Sequence, residues 1–390
     1  MPYHYIPSMK ADCCAMPAVG VSEKKLKPLS NLSIQMINKE CFTTEWIAQK
    51  SIELKYNDRN LIEKVIRAFS LLEMLAASGC PFYFKGGTSL MLILGDGSHR
   101  LSIDIDIMCP PGTNIEEYLK DYAQSGFLEY QLVERRQAGK DVPKSHSKFF
   151  YQVAFKGLSD ATSFILLDVL YEDCHYHKIN IIDIVSPFIK VDGEPKKVKV
   201  PSVEDILGDK LTAFAPDTTG IPYYKKDKLS TLEVIKQLYD VGRLFDRMQD
   251  LDITSRSFKA IADVELGYRN LGHDLSQIYQ DIRQTALNIS TRGFVDKDKF
   301  ALLQKGIVNI KPFMYMSAYR IEEAIIDASK AAYLATLIEK GQETVEKFLA
   351  TPFTEDLQIE PMLTNKLNKL RIGLPEAYYY WAKTSHLLAK

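Results

Sequence analysis

Between Phe82 and Ile107 the chain carries the pattern that most restricts its fold. Phe82, Tyr83 and Phe84 form a short apolar run that leads into Lys85-Gly86-Gly87-Thr88-Ser89-Leu90, a strand end, a glycine turn and the start of a helix. Two adjacent glycines at such a turn let backbone N–H groups approach an anion with no Cβ in the way. The chain then runs Arg100-Leu101-Ser102-Ile103-Asp104-Ile105-Asp106-Ile107, a strict alternation. Leu101, Ile103, Ile105 and Ile107 fall on one face of a strand, and Ser102, Asp104 and Asp106 on the other. Carboxylates two residues apart on one face lie roughly 7 Å apart at their Cα atoms. That spacing suits divalent cations held between them, and without a cation it disfavours joint ionisation. A phosphate cradle beside a carboxylate pair fits metal-assisted phosphoryl or nucleotidyl transfer. The plainer alternative for the two aspartates is the solvent face of a half-buried strand.

The elements around this stretch alternate in type. Residues 44–56 form a short predicted helix. Residues 60–78 form a stronger one, with Leu61, Ile62, Val65, Ile66, Phe69, Leu72 and Leu75 at helical spacing, Asn57 or Asp58 as cap and Gly79 as stop. The motif helix follows the strand at 81–85. A third helix is expected over 114–125, then strands over 127–135, 148–155, 163–171 and 180–185, with 140–148 a polar loop or hairpin. This order describes an α+β or α/β domain with a mixed sheet. Pro201 marks a boundary, and Ser202 with Asp205 three residues on opens a helix that runs to about Ala215. Residues 216–230 form a loop rich in Pro, Gly, Thr and Lys. From Thr231 onward nearly everything is helical, including 231–248, 275–289, 318–339 and 375–388, with breaks near 250, 272, 293, 312, 352 and 373. The organisation expected is an irregular segment over 1–28, a mixed domain over 29–200 and a helical domain over 201–390.

At 390 residues the chain is long enough for one large or two ordinary domains, and 46% hydrophobic with 25% charged residues is an ordinary globular composition. The net charge of −1 supplies no global basic field for nucleic acid, and no acidic excess that argues against a local basic patch. The six cysteines, at 13, 14, 41, 80, 109 and 174, contain no Cys-x-x-Cys pair, which points to reduced thiols in a cytoplasmic protein. No apolar run has membrane-spanning length, and residues 1–20 lack a signal-peptide pattern, so no membrane partner is expected. The seven histidines, at 4, 99, 146, 175, 177, 273 and 386, show no metal spacing.

Several single residues are weighed beside the motif. Ser102 offers its hydroxyl either to a phosphate oxygen or to a strand-end backbone group. Lys85 and Arg100 either balance phosphate charge, pair with the aspartates or stay solvated. Asp168 sits in Phe164-Ile165-Leu166-Leu167-Asp168-Val169-Leu170, where an unpaired buried carboxylate is expensive, so it belongs at a strand end, in a cleft or beside a cation. Lys210 neighbours the apolar stripe Val203, Ile206, Leu207 and Leu211, either as a point-charge phosphate binder or as a solvated lysine. Lys236 and Asp240 share a helix face, either as a surface ion pair or at an interdomain cleft. The run Tyr378-Tyr379-Tyr380-Trp381 is either helix packing or a base-stacking surface.

Gly-Gly-Thr, a spacer and Arg-x-Ser-x-Asp-x-Asp resemble the signature of the DNA polymerase β-like nucleotidyltransferases. The fuller form, Lys85-Gly86-Gly87-Thr88 with Ser102-x-Asp104-x-Asp106, resembles the AbiEii/AbiGii toxin family. So do Asp168 on a strand, Lys210 on a helix after Pro-Ser-Val-Glu, and Lys236-x-x-Tyr239-Asp240, all in order over about 80–246. The resemblance implies an α+β fold, with an N-terminal polymerase β-like domain followed by helices. It implies a Mg²⁺-dependent toxin of a toxin–antitoxin or phage-defence system, related to the MenT-type enzymes, that moves a nucleotide from an NTP to tRNA or another macromolecule. It also implies a cognate antitoxin. Ser102, Asp104, Asp106, Asp168, Lys210 and Asp240 are then the catalytic set. Lys85, Gly86, Gly87, Thr88, Ser102 and Lys210 bind the nucleotide, and Asp104, Asp106 and Asp168 bind metal. Family members often carry Lys-Asp before the Tyr-Asp, where this chain has Gln237, and the 216–230 loop looks inserted. Two other classes of function remain open: a nucleotide-binding toxin module with little catalysis, and kinase-like phosphoryl transfer at the same site.

Overall fold

The computed structural model describes residues 36–135, 142–155, 161–349, 357–360 and 363–390. The irregular segment expected over 1–28 lies outside them. Two helices come first, α1 (Thr44–Glu53) and α2 (Arg59–Ala77). Asp58 caps α2, its side chain accepting from the Leu61 N–H, and Gly79 follows the last turn at φ +76°. Strand β1 (Tyr83–Lys85) runs directly into α3 (Gly86–Leu94), and β2 is Ile105–Cys109.

The helix expected over 114–125 is instead two separate 3₁₀ turns, Ile115–Tyr118 and Tyr122–Ser125. Only Ile115 and Leu119 of its apolar side chains are fully buried. That is too narrow an apolar face to hold a regular helix against the core, and short 3₁₀ pieces serve where packing does not sustain more.

Strands β3 (Glu129–Arg135), β4 (Lys144–Gln152) and β5 (Thr162–Tyr171) complete a five-stranded sheet in the order β1-β2-β5-β4-β3. Only the β2–β5 pairing is parallel, so the sheet is mixed, as the order of elements predicts. A separate hairpin, β6 (Ile179–Asp183) with β7 (Lys197–Pro201), leads to α4 (Val203–Ala213). Ser202 caps α4 through the Asp205 N–H, as its sequence position predicts. The 216–230 loop contains a small hairpin, β8 (Tyr224–Lys225) and β9 (Lys228–Leu229). Helices follow: α5 (Thr231–Arg247), α6 (Leu251–Arg269), α7 (Ser276–Ser290), α8 (Lys297–Asn309), α9 (Ile321–Glu339), α10 (Leu370–Gly373) and α11 (Pro375–Ala389).

Buried apolar side chains gather in two clusters. One joins α2 to the inner face of the sheet through Phe69, Leu72, Phe84, Ile107, Leu167 and Val169. The other joins the helices from α4 onward. Tyr378, Tyr380 and Trp381 lie inside that second cluster, so the aromatic run is helix packing. Helix α3 contributes to both: Met91 faces the first cluster, and Leu90 and Leu94 face the second. The glycine turn that begins α3 is therefore anchored where the sheet meets the helices. Among the described residues, no helix is long and apolar enough to cross a membrane.

Candidate active site

Strand register builds the centre of the site. Lys85 on β1 pairs with Asp106 on β2, Asp106 pairs with Asp168 on β5, and Asp168 pairs with His146 on β4. Register partners on neighbouring strands point to the same face, so these side chains form one row across the sheet. Asp104 lies just before β2 and not in the strand itself.

The glycines fit against this row. Gly86 sits at φ +80°, and a Cβ there would overlap the Asp106 carboxylate. A Cβ on Gly87 would come within 2.7 Å of Ser102 Oγ and 2.8 Å of an Arg100 guanidinium nitrogen. Only a residue without a side chain lets the first turn of α3 lie so close to the acidic strand. The N–H groups of that turn lack partners within the helix and carry its positive end. Thr88 spends its hydroxyl within the protein, donating to the Asp104 carbonyl at 2.6 Å and tying the approach to β2 onto α3. Of the predicted nucleotide-binding group at Thr88, only the backbone N–H remains in the first turn.

The carboxylates are poorly compensated. Burial, then Asp168 and Asp104, pushes the Asp106 carboxyl up to about 7, against the opposing pull of Lys210 and Lys85. Burial and Asp168 also raise Asp104. Among the described residues, no three His, Cys, Asp or Glu side chains form a ready metal cage. The donor set nonetheless fits Mg²⁺, which is typically held by one or two carboxylates plus substrate phosphates and water. The mutual repulsion of Asp104, Asp106 and Asp168 is what a bound cation relieves.

The second half of the site comes from the helices. Arg100 donates to both oxygens of Asp240, with its Nη2 2.8 Å from each, and Lys210 Nζ lies 3.1 Å from Asp240 Oδ2. All three are nearly buried, so Lys210 is not a solvated lysine and Asp240 is not part of a surface pair with Lys236. Gln237 accepts from Lys210 Nζ at 2.9 Å. The amide at this departure from the family pattern thus stays in the lysine's shell. Lys236 lies 3.8 Å over the Phe313 ring, and burial and then Arg100 depress its ammonium to about 8. On the far side, Lys85 Nζ lies 3.4 Å from Asp209 Oδ2, which also accepts from Tyr176 at 2.9 Å.

The structure thus brings Lys85, Gly86, Gly87, Ser102, Asp104, Asp106, Asp168, Lys210 and Asp240 to one region. Sequence reasoning passed over His146, whose Nδ1 hydrogen-bonds Asp168 Oδ1, and also Tyr176 and Asp209. Histidine spacing along the chain holds no trace of the His146 contact, because strand register creates it. Asp168, expected at a strand end, in a cleft or by a cation, lies within β5 with a half-buried side chain beside this imidazole. Asp209 had a weak signal, being the immediate neighbour of Lys210 on α4.

No curated protein matches the sequence. Among solved structures, MenT4, described as a nucleotidyltransferase toxin from Mycobacterium tuberculosis, is 14% identical with a TM-score of 0.51, over 74% of this chain and 89% of that one. JHP933 from Helicobacter pylori is 16% identical with a TM-score of 0.39, over 73% and 94%. The family model described as nucleotidyl transferase AbiEii toxin, type IV TA system, matches residues 70–358, which contain the whole acidic row and the Arg100–Asp240–Lys210 cluster. The chain belongs to the AbiEii family of nucleotidyl transferase toxins.

Proposed function

We propose that this toxin transfers a nucleotide from an NTP to a hydroxyl of a macromolecular acceptor, with tRNA as the leading candidate, and that Mg²⁺ serves the reaction. The observation that carries the proposal is the in-register row Lys85–Asp106–Asp168–His146 beneath the glycine turn of α3. Asp104, Asp106 and Asp168 are the residues that would hold the metal. Bound there, Mg²⁺ supplies charge stabilisation for the attacking and leaving oxygens of an in-line displacement.

The chain's own groups divide the remaining work. The N–H groups of Gly86, Gly87 and Thr88, with the Ser102 hydroxyl, receive phosphate oxygens beyond the transferred group. Lys210 adds positive charge toward Asp106, and Asp240 fixes its Nζ. Lys236 adds a cation near Asp104. Asp168 takes the proton of the acceptor hydroxyl, and His146 fixes the orientation of its carboxylate. The helices that follow Pro201 form a C-terminal domain that receives the acceptor. The family's type IV toxin–antitoxin description supports a cognate antitoxin.

Incubating the full chain with each α-phosphate-labelled NTP, Mg²⁺ and total bacterial RNA tests this, with Asp104→Ala alongside. Label on tRNA-sized RNA that disappears in the variant is the expected result. Label on protein would move the acceptor to protein, and label reaching an acceptor only in a parallel reaction with γ-phosphate-labelled NTP would replace nucleotidyl with phosphoryl transfer.

A further inference from the structure

The sheet face that carries Asp168 and His146 continues along the same two strands, away from the acidic row. Before Asp168, β5 presents Leu166 and Phe164 to this face, and after His146, β4 presents Lys148 and Phe150. Lys148 pairs with Leu166 and Phe150 with Phe164, so all four stand on the side of the acidic row. The residues that alternate with them, Phe149, Tyr151, Ile165 and Leu167, are buried on the inner face. Phe150, Phe164 and Leu166 are only half-buried, and they join neither of the two buried clusters. Aromatic rings left out of the core, on the open face beside an active site, mark an interaction surface.

The chemistry of this surface is specific. The Phe150 and Phe164 ring centres lie 5.7 Å apart with their planes at 59°, so each ring keeps a face of its own. Two cations flank Phe164: Lys148 Nζ lies 4.6 Å from its ring centre, and Lys64 Nζ, from α2, lies 5.6 Å from it. Strand β2 begins opposite Leu167, which leaves the earlier part of β5 open on that side for Lys64 to reach round. The Lys64 charge is also felt at Asp104, so the basic patch is continuous with the acidic row. The register partners of Lys148 are Gln131 and Leu166, neither of them charged. Glu129, opposite Phe150 on β3, bounds the patch at the outer edge of the sheet. Rings on an open sheet face take bases by stacking, and lysines beside them take phosphates. Paired RNA hides its base faces in the duplex and does not fit.

The placement matches the acceptor side of the reaction. In the strand order β1-β2-β5-β4, the glycine turn of α3 stands at the β1–β2 side and the rings at the β5–β4 side, with Asp168 between them. Phe164 lies roughly 13 Å along β5 from Asp168. We infer that Phe150 and Phe164 stack the bases of an unpaired RNA end, with Lys148 and Lys64 on its phosphates, and so direct the acceptor hydroxyl toward Asp168. The inference rests on the nucleotidyl-transfer reading above. The helices after Pro201 then receive the body of the acceptor, and the sheet receives its single-stranded end. Lys148 leaves the ring for a phosphate as a base takes its place.

Fluorescence anisotropy of the full chain with 5′-labelled oligo(A) and oligo(C), and with a blunt RNA duplex of equal length, tests this. Both single strands are expected to bind about tenfold tighter than the duplex. The double variant Phe150→Leu with Phe164→Leu keeps apolar side chains and removes the rings. It should weaken both single strands about tenfold and leave the duplex unchanged, with its thermal midpoint checking that it folds. Lys148→Ala should reduce the slope of log affinity against log salt by about 0.7, the share of one phosphate on a single strand. Equal affinity for single strand and duplex, or single-strand affinity that survives in the folded double variant, overturns the platform. So does absence of RNA binding with label from NTP reaching protein, which leaves a protein acceptor. Label transfer followed in the same samples separates the two readings. Transfer to RNA that is unchanged in the double variant removes the platform alone, whereas RNA binding as expected with no transfer to any acceptor removes the transfer reading and leaves the platform.

Discussion

Two charged groups of similar size lie within this site and are built in opposite ways. Around Asp240, charges are matched: one carboxylate faces the forked Arg100 guanidinium and the Lys210 ammonium, with Gln237 completing the lysine's shell. Around Asp106, charges of one sign are crowded: burial and then two further carboxylates raise its affinity for a proton, and two lysines only partly answer them. The matched group meets its electrostatic needs within the chain and so acts as scaffold. The crowded group is held in a state that improves when something positive arrives. A buried ion cluster contributes position more than net stability, and here the position concerned is that of Lys210.

The sharpest way to break this contrast is to neutralise one residue of each group and read activity and stability together. Asp106→Asn is expected to reduce nucleotide transfer by about 10³-fold or more, the scale of losing a main electrostatic group in an active site. Its thermal midpoint without metal should stay level or rise, because a repulsion has gone. A clear fall in the midpoint would show that Asp106 is a structural charge. Asp240→Ala is expected to cost about 3–5 kcal/mol in urea unfolding, because Arg100 and Lys210 are left buried without their carboxylate. An unchanged unfolding midpoint would end the scaffold assignment.

Gly86→Ala tests the junction between the two groups. The residue's left-handed backbone and the overlap of a new Cβ with the Asp106 carboxylate should cost about 1–3 kcal/mol. Transfer should fall as well, because Asp106 must move. The remaining test is pH. The folded-state pKa of Asp106 is raised to about 7, from an unfolded value near 3.8. The folded state therefore binds more protons than the unfolded state between these values. Metal-free stability should be full below pH 4 as far as this group is concerned, and should decline as pH rises through 7. Both Mg²⁺ and Asp106→Asn should flatten the decline. A stability that rises over the same window in the wild-type chain, with no change in the variant, would remove Asp106 as the source.

Much of the molecule is legible in the residues because it depends on local physics. Helical spacing and a capping aspartate place α2. Ser202 with Asp205 places the start of α4. The glycine pair and the alternating aspartates place β1, α3 and β2 beside one another. The 114–125 segment shows the limit of this: its polarity and spacing suit a helix, yet it forms two 3₁₀ turns because nothing nearby buries a full helical face. Lys210 shows another, since its position beside an apolar stripe is equally that of a solvated lysine. Only the approach of Asp240 and Gln237 from α5 gives it partners.

What the sequence determined by itself is the chemistry on offer: a strand, a glycine turn that a side chain would block, and acidic residues alternating on one face. Backbone sterics and a two-residue period govern these within a few neighbours, so order along the chain suffices. What only the tertiary structure decided is which distant groups answer that chemistry. Strand register set His146 beside Asp168 and Met108 beside Leu170. Helix packing brought Asp240 to Arg100 across 140 positions. These contacts depend on how separate elements pack to bury their apolar faces, and no spacing along the chain encodes that.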